Sequence, residues 1–158
     1  MRGFTSFVLA GALLAGGCGA GVTAPTPTPS GPLRLTAIQL PEFVVNGEPF
    51  TGFSVQVQNI SQTAVDLTFP SSCQILPVFL TRAGEAVTPV GGGIACATVI
   101  TNTTLGPTQS LSRLFTVKLG TVPSGQNLVL PSGDYTFVAR LDDTVHRLNS
   151  DPLPFSLR

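Results

Sequence analysis

Three cysteines, one histidine, one tyrosine and a late group of aspartates are the residues of this 158-residue chain whose chemistry could matter. Acid–base or nucleophilic catalysis needs a histidine, or an equivalent base, held by a third group. The single histidine, His146, sits beside a probable loop, Asp142-Asp143-Thr144, and no Gly-x-Ser-x-Gly elbow accompanies it. It reads as an exposed loop histidine. Asp142 and Asp143 are adjacent, so on a strand their side chains would point to opposite faces and could not act as a carboxylate pair. With Asp151 they offer the oxygen ligands that calcium takes. No spaced ligand motif supports that role, and a solvated turn is the plainer expectation. Gly91-Gly92-Gly93 lacks the following lysine and helix of a phosphate cradle and reads as a loop tip. No catalytic residue, metal or cofactor is therefore expected.

Cys18 carries a different chemistry. It follows Arg2 and a short apolar run, Phe7 to Gly17, which is too short to span a bilayer but fits the apolar region of an export signal. Leu14-Ala15-Gly16-Gly17-Cys18 resembles a bacterial lipobox, with Ala15 where leucine is commonest. That resemblance implies that residues 1–17 are removed and that Cys18 is acylated. Two or more acyl chains hold a protein stably to a membrane. The rival is ordinary cleavage near Ala24, leaving a secreted soluble protein, although Pro25 would follow that cut.

Reserving Cys18 for lipid leaves Cys73 and Cys96. In an oxidising compartment such a pair is expected to form a disulfide. Two cysteines and His146 do not complete the tetrahedral set that zinc would need.

Residues 18–32 hold the lipidation cysteine and prolines at 25, 27, 29 and 32, with almost nothing to bury. They read as a disordered, extended tether of up to ~3.1 Å per residue. Charged residues make up only 10% of the chain and the formal net charge is zero. Average soluble proteins carry about 25%. No basic patch supports capture of nucleic acid.

From residue 33 to 158 the chain alternates short strands with turn signals. Leu33 to Leu40 alternates as a half-buried strand, and Asn46-Gly47-Glu48-Pro49 is a turn. Phe53, Val55 and Val57 face one way, as do Val65, Leu67 and Phe69. The short link from Asn59 to Thr63 suggests that these two strands form a hairpin. Pro77, inside the run from Gln74 to Thr81, predicts an edge or a bulge. Ile94 to Thr101, Leu111 to Leu119, Tyr135 to Leu141 and Phe155 to Leu157 complete the candidates. No helical periodicity is sustained, and 14 prolines and 17 glycines interrupt the chain too often for helices. The expected fold is all-β: an immunoglobulin-like antiparallel sandwich of seven to nine strands.

Leu130-Pro131-Ser132-Gly133-Asp134-Tyr135 has the Leu-x-x-Gly-x-Tyr form of a tyrosine corner, in which the phenol bonds to backbone a few residues upstream. Leu130, Gly133 and Tyr135 are thus expected to be structural.

With these pieces in place, Phe53 to Leu141 resembles the BsuPI-type intracellular proteinase inhibitor domain, an immunoglobulin-like sandwich. The matching segments are Val57 and Asn59 at a strand end, Val65-Asp66-Leu67-Thr68-Phe69-Pro70-Ser71, Gly84-Glu85-Ala86-Val87, Leu105-Gly106-Pro107, and the Leu130 to Tyr135 corner. Where that family often has a tryptophan, this chain has Thr88-Pro89-Val90. The resemblance implies protease inhibition; the residues themselves point to a non-catalytic, lipid-anchored interaction or structural module outside the cytoplasm. Its partners would be the membrane, through the anchor, and an envelope protein or a protease. Loops 88–96 and 142–151 are the expected recognition surfaces.

Overall fold

The computed structural model describes residues 31–90, 94–121 and 128–158. Cys18, the signal segment, nearly all of the tether and Gly91 to Gly93 lie outside the described residues.

The described chain is all-β. Its eleven strands are β1 (Leu33–Gln39), β2 (Phe43–Val45), β3 (Glu48–Asn59), β4 (Val65–Phe69), β5 (Ile75–Thr81), β6 (Ala86–Val87), β7 (Thr101–Leu105), β8 (Ser110–Leu119), β9 (Leu128–Leu130), β10 (Gly133–Leu141) and β11 (Leu153–Leu157). The number exceeds seven to nine because β2, β6 and β9 are two- or three-residue pieces, too short to show alternation.

One sheet runs β1-β3-β8-β9, with β2 also on β3, and the second runs β11-β10-β5-β6. β4 and β7 form a separate two-stranded ribbon. All pairings are antiparallel except β8 with β9. The result is a β-sandwich of the immunoglobulin-like kind.

Alternation drives the layers together. Phe53, Val55 and Val57 of β3 are fully buried, as are Phe137, Ala139 and Leu141 of β10. The Phe53 and Phe137 rings stack across the interior, 4.1 Å between centroids and 8° from parallel. Phe79 and Phe155 pack edge-on to Phe53. Such ring pairs add about 1 kcal/mol each to the free energy of burial.

Local chemistry sets the turns. Asn46 and Gly47 both have positive φ, 52° and 81°, the backbone of a type I′ turn that matches strand twist between β2 and β3. Pro77 lies opposite Ala139 on β10. Ala139 turns its own N–H and C=O toward Ser150, so Pro77 meets β10 at a non-bonded pair and costs that ladder nothing. On its other side, continuing the β5–β6 register would set Pro77 opposite Pro89, and the pairing stops at Phe79–Val87.

Two expectations are corrected. β3 and β4 do not form a hairpin: β3 pairs with β1, β2 and β8, whereas β4 pairs with β7. The cause is Asn59. Its side-chain carbonyl accepts the Ser61 amide at 2.9 Å, and its amide donates to Thr63 at 2.7 Å and Leu105 at 2.8 Å. These bonds swing the chain out of one sheet and into the ribbon. Residues 94–100 are not a strand either; β7 begins at Thr101.

Candidate functional site

The Cys73–Cys96 disulfide is present, with Cα atoms 5.3 Å apart and a sequence separation of 23. Cys73 is buried in the link between β4 and β5, whereas Cys96 is exposed. Beside it, the Ser72 amide donates to the Ala97 carbonyl at 3.0 Å, and the Ala97 amide donates to Ser72 Oγ at 2.8 Å. The Val99 amide then closes a tight turn on the same Ala97 carbonyl. This pinning replaces the ladder predicted for 94–101. It leaves Val99 49% and Ile100 70% exposed at the loop's end. Thr88, Pro89 and Ile94, from the same expected recognition loop, line an apolar cleft of about 250 Å³ against Pro77 and Phe79.

The second expected surface, 142–151, is built around Asp143. Its carboxylate is buried and accepts three backbone N–H groups: Thr68 at 2.6 Å, Val145 at 3.0 Å and His146 at 2.6 Å. Burial presses this acid toward its neutral form. The donors outweigh burial and hold the carboxyl below the ordinary aspartate range. The expected solvated turn is therefore corrected at Asp143, which is a buried brace between β10 and β4. Asp142 is half-buried and Asp151 exposed. Asp143's oxygens are directed at backbone amides rather than grouped with them. Among the described residues no three His, Cys, Asp or Glu side chains are grouped as a metal site. Ser150, also buried, accepts the Ala139 amide and ties the end of this loop to β10.

Tyr135 Oη donates to the Pro131 carbonyl at 3.0 Å, the bond a tyrosine corner requires. Gly133 explains the motif's spacing: a Cβ there would stand 3.2 to 3.3 Å from the phenol oxygen and ring carbons. Leu130, the first residue of the motif, is fully buried. Burial pushes the Tyr135 phenol above its usual pKa.

Sequence reasoning missed the role of Asn59 inside the sandwich. It is fully buried, and its amide bonds Gly106 as well as Leu105 and Thr63. Its own N–H donates to Gln109 and its C=O accepts from Thr108. The strand-end position after Val57 was visible, but nothing in one sequence says which carbonyls an asparagine will reach.

No family model and no curated protein matches the chain. Two solved chains match. One is the X-ray structure of Northeast Structural Genomics Consortium target SoR45, 12% identical in sequence. That alignment covers 80% of this chain and 86% of the other, with a TM-score of 0.37, and nothing about activity is carried over from it.

Proposed function

We propose that this protein is a non-catalytic interaction module, held by a lipidated Cys18 on the outer side of a membrane. The observation that carries the reading is the use made of its chemically able side chains. Asp143 is spent on three backbone amides, Tyr135 on Pro131, and Asp134 on Ser156 and Arg158. These groups hold strands in place, while the exposed segment 96–100 offers apolar side chains from a braced loop. The disulfide agrees with an oxidising compartment. Intact-mass measurement on membrane-extracted protein tests the anchor: a chain beginning at an acylated Cys18 is expected, and a mature chain lacking Cys18 overturns it.

One observation favours a second reading, inhibition of a protease. Binding loops gain affinity when their bound shape is fixed beforehand. Cys96 to Ile100 is fixed on one side by the disulfide and on the other by the Ser72–Ala97 bonds. Assay against a panel of serine proteases tests this, and the absence of inhibition at micromolar protein removes it.

A further inference from the structure

β7 differs from the other sheet edges. Among the described residues it pairs with β4 alone, in a two-stranded sheet beside sheets of five and four strands. Isolated two-stranded ribbons are marginal in water. The direction of its open main-chain groups follows from β4. The Thr68 amide donates to Asp143 and the Thr68 carbonyl accepts from Thr144, so both face away from β7. Thr68–Asn102 is therefore a non-hydrogen-bonded pair, and so, two residues on, is Asp66–Thr104. The N–H and C=O groups of Asn102 and Thr104 accordingly point outward over the open edge.

The remaining edges carry the usual guards against strand addition. β11 contains Pro154 and is followed by Arg158, β6 stops short of Pro89, β9 is three residues long before Pro131, and β1 exposes Arg34. β2 is three residues long behind Pro41 and Glu42, and the outer side of β4 is bonded at Thr68 by Asp143 and Thr144. Ile94 to Leu105 has no charge and no proline, and its approach exposes Val99 and Ile100.

We infer that β7 is a self-association edge, at which a second copy of this chain adds its own β7 in antiparallel fashion. The inference rests on the interaction-module reading and names the partner. A two-fold axis at Thr103 sets Thr103 opposite its counterpart, Asn102 opposite Thr104, and Thr101 opposite Leu105. In that register every main-chain group pointing outward from residues 102 and 104 meets one from the other copy. Threonine pairs across strands are favourable, and no like charges are opposed. A chain so close to neutral adds little long-range repulsion. The joined sheet, β4-β7-β7-β4, reaches the size of the others. A contact this small falls below the roughly 1,200 Å² of stable complexes, so association is weak in solution and is strengthened when both copies share a membrane.

Sedimentation equilibrium of the full chain in density-matched detergent, over a series reaching millimolar, tests this alongside bifunctional cross-linking on intact cells. Dimers are expected, and Asn102→Lys, which sets two ammonium groups diagonally across the joint on one face, should raise the dissociation constant about tenfold or more. Ile38→Lys, at an exposed position on the other sheet, should leave it unchanged. Circular dichroism and melting confirm that both variants fold. A monomer at all concentrations overturns the inference, as does a dimer indifferent to Asn102→Lys. A monomeric chain that cross-links to an envelope protein also overturns it while leaving the proposed function standing.

Discussion

Asp143 reaches across 75 residues of sequence to accept the Thr68 amide at 2.6 Å, joining the loop that leaves β10 to β4 just before its last residue, Phe69. The same carboxylate holds the turn that follows, through Val145 and His146. Asp143→Asn keeps the shape but sets an amide nitrogen where two N–H donors point. Hydrogen bonds to a charged group are worth about 1.5–3 kcal/mol, so a loss of about 2 kcal/mol at neutral pH is expected in urea unfolding.

The pH dependence follows from the direction of the shift. The folded carboxyl lies below its unfolded value, so its contribution is present above about pH 4 and is lost as pH falls through the folded pKa. The gap between wild type and Asp143→Asn should therefore narrow in acid. A gap equal at pH 7 and in strong acid would contradict this account of Asp143.

Removing the disulfide, as Cys73→Ser with Cys96→Ser, frees the 23-residue separation that it closes. On the chain-entropy model the cost is about 3 kcal/mol, or a fall in melting temperature of roughly 10 °C. Cys96 is exposed and Cys73 buried, so a mild reductant should open the bridge without prior unfolding, and thiol labelling should mark Cys96 before Cys73.

These two devices were not equally legible in the sequence. An expected export signal and an even pair made the Cys73–Cys96 bridge an expectation, and the alternation in β3, β8 and β10 pointed to the sandwich, because burial on one face writes a period of two. Tyr135 could be read because its motif is short and local. Asp143 looked like a solvated aspartate, since the amide that matters most to it, Thr68, lies in another strand. Asn59 looked like a hairpin turn for the same reason. Strand partners are chosen by such long-range bonds, and periodicity is silent about them. The pinned stretch 94–100 misled in a different way: its apolar side chains suggest a strand, but the disulfide and Ser72 hold the backbone instead.

At the tyrosine corner, Tyr135→Phe removes the bond to Pro131, whose carbonyl can turn to water, and should cost about 1 kcal/mol. Gly133→Ala acts on the same ring from the other side. Its methyl would press on the phenol at 3.2 Å, and overpacking of this kind costs about 1–3 kcal/mol. Because both changes act through one side chain, their effects should not add; a double variant whose loss equals the sum would argue against the shared contact.

Asn59 gives the sharpest contrast with Asp143. Asn59→Asp preserves volume but removes both amide hydrogens, so an oxygen faces the carbonyls of Thr63, Leu105 and Gly106. The site is fully buried. An unpaired charge there is opposed by desolvation and by three carbonyl dipoles, and a loss of at least about 3 kcal/mol at neutral pH is expected. The introduced acid would ionise only at raised pH in the folded state, because its neutral form is favoured and can donate one hydrogen bond. A folded pKa above the unfolded value makes the variant recover stability as pH falls, the reverse of the trend set by Asp143. Urea unfolding of Asn59→Asp and wild type at neutral and mildly acidic pH should show the difference shrinking on acidification. A constant difference would mean that the donors of Asn59, rather than the charge placed among those carbonyls, account for the whole cost.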